Sequence, residues 1–471
     1  MTNMRSSLTH RLIPVLATVS LLAGTATTTA SAAAQAADPG PRQHSGTLPD
    51  GTKYAIQIPA NWNGTVVNDL DAVINLTHAT PRARFFLDHG YAYAGTDRRP
   101  DRTYRFDPRA ERDEQAQVLD IFTAEFGTPR HAIQFGCSGG GGVALGVAES
   151  YPDKIDAAIS MNGADGIVMA NQRLDLLFAL KALLAPDSSL PVVGISYEDR
   201  DKAAKAWGDV LAAAQETDAG RARIALAGTL AQVPTWGGGF APYPEEPDPD
   251  DRDAVQRTMI RSVVDSAVYA AGIRYLYDNP AGVMSWNTGI DYRRFYAHTG
   301  AAQKKTVREL YAKAGEHTER DVRADLGRIN AYPRIQGPAS AVSYWKERAL
   351  TGDPHVPLLQ LTTVGDSTRS SAMMAGYAEG VRANGKSRLY RQALIDSPGH
   401  CTFNVPEMAA AVETVMRRLE TGRWGDSTRP DVLNAVGRGF GLGEPRFIST
   451  KGLPTRNNRA FFPSSGQMAG Q

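Results

Sequence analysis

The chain of 471 residues has only two cysteines, and each adjoins a residue type that hydrolase chemistry needs. Cys137 precedes a serine in Gly136-Cys137-Ser138-Gly139-Gly140, and Cys401 follows a histidine in Ser397-Pro398-Gly399-His400-Cys401. Gly-x-Ser-x-Gly is the pattern of a nucleophile elbow, and such a serine needs a distant histidine within hydrogen-bond reach. A disulfide would staple the two together. It holds its Cα atoms about 4.4 to 6.8 Å apart, and each neighbouring Cα lies about 3.8 Å further on, so the Ser138 and His400 Cα atoms would lie within roughly 14 Å. Closing a loop of roughly 260 residues is worth at most about 5 to 6 kcal/mol in the chain-entropy model. The alternative, two unrelated buried thiols, leaves their shared placement unexplained.

A disulfide requires an oxidising compartment, and the N-terminus is consistent with one. Arg5, His10 and Arg11 precede an apolar stretch over residues 12–23, followed by Thr/Ala-rich sequence with small-residue cleavage sites ending at Ala32 or Ala36. This pattern predicts a signal peptide over residues 1–36 and a secreted protein. The apolar run is shorter than the roughly 20 residues of a membrane helix, and no later segment reaches that length, so no membrane association is expected. The whole chain carries 51 basic and 50 acidic side chains. Removing the leader takes away two arginines and no acid, leaving a charge of about −1 without a basic stripe, which argues against nucleic acid as partner.

Residues 37–165 alternate strand and helix. Tyr54, Ile56 and Ile58 alternate with smaller or polar residues, a second strand begins at Thr65 after Asn63-Gly64, and strands over 91–95 and 131–135 follow helical patterns over 82–89 and 111–126. The second of these strands runs straight into the elbow. Such β-α-β alternation predicts a mainly parallel sheet with helices on both faces. Residues 166–354 are helical in pattern, with helices expected near 174–184, 202–215, 254–277 and 304–314, which makes them a large lid or cap inserted between core strands. The sheet is expected to resume over 355–423, with strands near 356–361 and 388–395 and helices near 371–383 and 405–420. Residues 424–471, rich in Gly, Arg, Pro and Asn, read as a surface-wrapping or partly disordered tail.

The glycines around Ser138 fit a sharp strand-to-helix turn, where the backbone N–H of Gly139 can donate to a developing oxyanion. The bland reading is a glycine-rich turn with an inert serine; it is not a phosphate loop, because no Lys-Ser/Thr follows. His400, in a loop after the last expected strand, is the candidate general base. The other histidines carry the default structural or surface reading. Asp366, at the end of the apolar strand running to Gly365, is the candidate for orienting the imidazole, its alternative role being a helix N-cap; Asp396 and Asp353 are the runners-up. A second oxyanion donor is expected near Asp69 or Leu70, after the strand holding Val66 and Val67, and Leu70 is the candidate. Asp69 and Asp71 have substrate contact or helix capping as alternative roles.

These positions resemble the tannase and feruloyl esterase family, in which disulfide-linked cysteines flank the serine and histidine of the triad. The resemblance rests on Cys137-Ser138, Asp366 and His400-Cys401, together with the expected α/β-hydrolase order and large lid. It implies cleavage of aromatic acid esters such as gallates and ferulates. Lids in that family commonly bind calcium through clustered acids, but the acidic run over 248–253 lacks convincing ligand spacing, so no metal and no cofactor are expected. The expected function is that of a serine carboxylic ester hydrolase acting on a small-molecule or plant-derived ester. Trp236, Phe240, Tyr243, Trp286, Tyr292 and Trp345 are the aromatic candidates for stacking on an acyl ring, with ordinary packing as the default. A peptidase or polyester depolymerase uses the same triad, and a non-catalytic binding module uses the same fold.

Overall fold

Strands whose residues are buried on both faces form the centre of the molecule. The computed structural model describes residues 40–278, 282–315, 317–449 and 456, so the leader expected at 1–36 lies outside the described residues. The strands are β1 (Arg42–Thr47), β2 (Lys53–Ile58), β3 (Thr65–Asp69), β4 (Ala92–Thr96), β5 (His131–Cys137), β6 (Ala157–Met161), β7 (Leu358–Thr363), β8 (Tyr390–Ile395) and β9 (Phe447–Ile448). Among the described residues they make one sheet of nine strands in the order β1-β2-β4-β3-β5-β6-β7-β8-β9. The block from β4 to β8 is parallel, whereas β1, β2 and β9 pair antiparallel at the two edges.

Successive strand side chains point to opposite faces, which divides the apolar residues between two cores. Val67, Ile133, Ile159 and Leu359 pack on one side with Phe86 and Val412, from the helices Pro81–Asp88 and Val405–Thr421. Their neighbours Val66, Ala132, Ala158 and Leu358 pack on the other with Phe122, Val147 and Val381, from the helices Pro108–Phe126, Gly139–Ser150 and Ser371–Ala383. Near-continuous apolar runs are what a parallel sheet covered on both faces requires.

Between β6 and β7 the chain is helical, from Gly166–Leu184 through Arg200–Gln215, Asp218–Leu230 and Arg252–Gly272 to Ala339–Arg348. These helices have a core of their own around Leu177, Trp207, Leu226 and Val263, and the insertion and sheet share one compact unit. No helix among the described residues is long and apolar enough to cross a membrane.

Among the described residues after 423, parts of the expected tail have regular structure. Pro430–Gly439 is a helix that buries Leu433, and β9 adds an edge strand to β8. Composition concealed this because the contacts are tertiary. Arg446 donates to Glu407 Oε1 at 2.8 Å, to Ser397 Oγ at 3.1 Å and to the Thr402 carbonyl at 2.7 Å, which ties the C-terminal segment to the loop bearing His400.

Candidate active site

β5 ends at Cys137 and the helix Gly139–Ser150 begins at once, which forces the turn onto Ser138. Its φ of 61° and ψ of −118° lie in a region that non-glycine residues avoid. The turn is held by the Ser138 N–H, which donates to the Met161 carbonyl at 2.9 Å, and by close backbone packing. A Cβ on Gly136 would stand 2.4 Å from the Gly140 carbonyl carbon, and one on Gly141 would stand 2.5 Å from the Met161 oxygen. Neither backbone can yield as a flexible side chain would. Gly136→Ala is therefore expected to destabilise the protein by about 1 to 3 kcal/mol, the range for overpacking, read as a lower midpoint in thermal unfolding. An unchanged midpoint would show that the elbow has slack.

Cys137 and Cys401 form a disulfide with Cα atoms 6.2 Å apart, joining positions 264 residues apart in the chain. Cys401 also has a positive φ, 55°. The bridge holds the loop after β8 against the elbow. In that loop His400 Nδ1 donates to Asp366 Oδ2 at 2.6 Å, while Nε2 lies 3.8 Å from Cys401 Sγ, on the side of the bridge. Among the described residues no hydrogen bond joins Ser138 Oγ to His400 Nε2; in hydrolases that contact often tightens only around substrate.

Asp366 is fully buried and saturated with donors. Its Oδ1 accepts from the Thr368 N–H at 2.7 Å, the Thr368 hydroxyl at 2.8 Å and the Arg369 N–H at 3.0 Å. Burial pushes the carboxyl up, but attraction to His400 and the hydrogen bonds from His400 and Thr368 outweigh it and hold the group below its usual value. The runners-up lie elsewhere: Asp353 pairs with Lys386 at 3.0 Å, and the Asp396 N–H donates to the Arg446 carbonyl at the junction with β9. The loops after β7 and β8 are also joined directly, since Thr363 Oγ1 donates to the Gly399 carbonyl at 2.7 Å and the Gly365 N–H to that of Ser397 at 2.9 Å.

Gly139 opens its helix, so its N–H has no intrahelical acceptor. Leu70 is buried just after β3, its Cβ 3.5 Å from where a Cβ on Gly140 would stand. The structure thus brings both candidate oxyanion residues to the elbow. Asp71 does not touch the elbow as an open acid, because Arg98 binds it with two hydrogen bonds of 2.6 and 2.8 Å. A Cβ on Gly139 would meet Arg98 Nη1 at 2.3 Å and Arg102 Nη2 at 3.4 Å. Arg102 in turn donates to Glu111 at 2.6 Å. Sequence reasoning assigned these arginines no role. The available signal was their position after β4, at the carboxyl edge of a parallel sheet, where ligand-binding loops gather.

The segment between the helices Asp218–Leu230 and Arg252–Gly272 packs against the loops that bear Asp366 and His400. The Gly238 N–H donates to the carbonyls of Gly365 at 3.1 Å and Pro398 at 2.9 Å. The Tyr243 ring packs so closely on Gly399 that a Cβ there would stand 2.5 Å from it. Of the other aromatic candidates, Tyr292 and Trp345 are fully buried and Trp286 nearly so, in packing roles, while Phe240 is exposed. A narrow cavity beside the elbow is lined by Arg102, Phe106, Gly139, Asp165, Met169 and Arg369, among others. Among the described residues no cluster of three or more His, Cys, Asp or Glu side chains is placed to hold a metal ion.

A serine on a strained strand-to-helix turn, followed in chain order by an acid after β7 and a histidine after β8, defines an α/β-hydrolase, the fold of enzymes that hydrolyse esters or amides. The chain belongs to the family of the o-phthalyl amidase of Xanthobacter agilis, to which it is 35% identical over 432 residues, covering 86% of this chain and 94% of that protein. Solved structures similar to it include tannin acyl hydrolase from Aspergillus niger, 13% identical over 81% of this chain and 78% of that one with a TM-score of 0.36. Feruloyl esterase B from Aspergillus oryzae is 14% identical over 81% and 80%, with a TM-score of 0.34. No family model matches the chain.

Proposed function

We propose that the chain is a secreted serine hydrolase of carboxylic esters in which Ser138 Oγ attacks the acyl carbonyl carbon. His400 Nε2 takes the serine proton and returns it to the departing alkoxide, so that alcohol leaves and the acyl group remains on Ser138. Water then attacks the acyl-enzyme, giving its proton to His400, and the acid departs as the serine hydroxyl is restored. Asp366 keeps the proton of the imidazole on Nδ1 and stabilises the imidazolium. The N–H groups of Gly139 and Leu70 receive the oxyanion. The observation that supports this reading is the Cys137–Cys401 bridge, which ties the residue before Ser138 to the residue after a histidine bonded to a buried carboxylate.

The disulfide supports export to an oxidising compartment, and the inserted helices would serve as the lid that selects substrate. An amide-cleaving reading is favoured by the relative named an o-phthalyl amidase; the Cys-Ser and His-Cys pairs favour aromatic esters of the tannase and feruloyl type. Covalent labelling by a fluorophosphonate, lost in Ser138→Ala, tests the nucleophile. Turnover of p-nitrophenyl acetate, methyl ferulate and aminoacyl p-nitroanilides is expected to favour the esters. Activity confined to the anilides would overturn the ester assignment, and no labelling of the wild-type protein would overturn the mechanism.

A further inference from the structure

We infer that Arg98 completes the oxyanion hole, its Nη1 donating to the negative charge that develops on the acyl carbonyl oxygen when Ser138 attacks. This rests on reading Ser138 as the nucleophile, and it adds a charged donor to the backbone N–H groups of Gly139 and Leu70.

The glycine at position 139 is the first sign. Its φ is not positive, so the backbone conformation there does not call for glycine. A neighbour excludes the side chain instead: a Cβ would stand 2.3 Å from Arg98 Nη1 and 3.3 Å from Arg98 Cζ. The guanidinium fills the place of the missing side chain. Cβ and the amide nitrogen are each one bond of about 1.5 Å from Cα, so Nη1 lies within about 5 Å of the Gly139 nitrogen. In the first turn of a helix the N–H and the Cα–Cβ bond both lean toward the N-terminal end. A group standing in the Cβ position therefore shares the side on which an oxyanion would accept the Gly139 N–H.

Arg98 is held so that Nη1 is the nitrogen left over. Nε and Nη2 donate to the two oxygens of Asp71 at 2.6 and 2.8 Å, a bidentate pairing that fixes the plane of the guanidinium. Nη1 makes no hydrogen bond among the described residues and is not sealed from solvent. Asp71 directly follows Leu70, and a Cβ on Gly140 would stand 3.7 Å from its Oδ2. The Asp71–Arg98 pair thus spans the gap between the two backbone donors. Its anchor is rigid. The Asp71 N–H donates to Asp69 Oδ1 at 3.1 Å, and Asp69 Oδ2 accepts from Arg82 at 3.0 Å and from the Tyr93 hydroxyl at 2.6 Å. Burial pulls the Arg98 guanidinium down, but attraction to Asp71 and Glu111 and the hydrogen bond to Asp71 outweigh it and keep the group charged. A positive group fixed before the reaction costs no reorganisation when the charge develops.

The test uses p-nitrophenyl acetate, which has no charge of its own for an arginine to bind. Arg98→Gln is expected to lower kcat about 100-fold, the loss typical of a removed oxyanion donor, with KM within threefold. That change also leaves Asp71 unpaired, so the double variant Arg98→Gln with Asp71→Asn is measured beside it. A loss of at least tenfold should persist there. Should kcat return to within tenfold of wild type, Arg98 merely neutralises Asp71 and the donor role is overturned. A change in loop shape alone would not move the ionisation of the hemiketal that Ser138 forms with trifluoroacetophenone, followed by NMR of a carbon-13 label at the carbonyl carbon. The pH of that ionisation should rise by at least about one unit in Arg98→Gln, a tenfold change, and by less than half as much in Arg98→Lys, which keeps the charge. An ionisation indifferent to Arg98→Gln sinks the inference alone. A wild-type protein that takes no fluorophosphonate label loses the Ser138 reading itself, and this inference with it.

Discussion

Replacing Asp366 with asparagine is expected to lower kcat by about 10⁴-fold, the loss typical when a triad imidazole is left in the wrong tautomer. The carboxylate uses its two oxygens for different tasks. Oδ1 takes the Thr368 N–H, the Thr368 hydroxyl and the Arg369 N–H, whereas Oδ2 takes only His400 Nδ1. In the asparagine variant the amide oxygen can keep the three donors of Oδ1, so the loop should hold its shape. The amide nitrogen then faces His400 as a donor and favours the tautomer with its proton on Nε2, which cannot accept from serine. The measurement is kcat on an ester substrate, with circular dichroism to verify the fold. A loss under tenfold would sink the assigned role.

The same group has a pH signature. Its carboxyl lies below the ordinary value in the folded protein, so its contribution to stability is present above about pH 4. That contribution is lost as the pH falls through the lower, folded value. Asp366→Asn should flatten this part of an acid-unfolding curve and leave the neutral region alone.

Why the site could be read so far from sequence, and no further, follows from the range of the interactions involved. Ser138, His400 and both cysteines announce themselves through immediate neighbours, and the elbow demands that its glycines be local. Asp366 was legible as a strand-end acid, and helices such as Ser371–Ala383 fell where their periodicity placed them. The arginines around the site were not. Arg98 is recognisable as a partner of Asp71, 27 residues away, only once β3 and β4 lie side by side. Arg369 looks like any surface cation until the insertion folds back over the sheet. Gly166–Leu184 is buried almost all round, so it carries no amphipathic stripe to mark an interior face. The ties of the C-terminal segment were hidden for a related reason: Arg446 is fixed by Glu407, Ser397 and Thr402, a set of partners that its own composition does not reveal.

Removing the bridge, by Cys137→Ala with Cys401→Ala, is expected to reduce both stability and activity, but through separate parts of the structure. The chain-entropy model puts the stability loss at no more than about 5 to 6 kcal/mol for a closed loop of this length, and the measured loss should be smaller because unfolded chains retain structure. The loop would not swing free. Thr363 Oγ1 still binds the Gly399 carbonyl, Arg446 still binds Thr402 and Ser397, and Asp366 still binds His400. Those ties anchor the histidine to β7 and to the C-terminal segment, whereas the elbow belongs to β5. The disulfide is the covalent tie between them, and a displacement near 1 Å between reacting groups is enough to cost about 10²-fold. Ester turnover should therefore fall by about 10- to 100-fold at a temperature where circular dichroism shows the helices intact, and fluorophosphonate labelling should slow in parallel. If turnover stays at the wild-type level while the thermal midpoint drops, then the noncovalent ties alone position His400, and the bridge acts on stability without setting the geometry of the reaction.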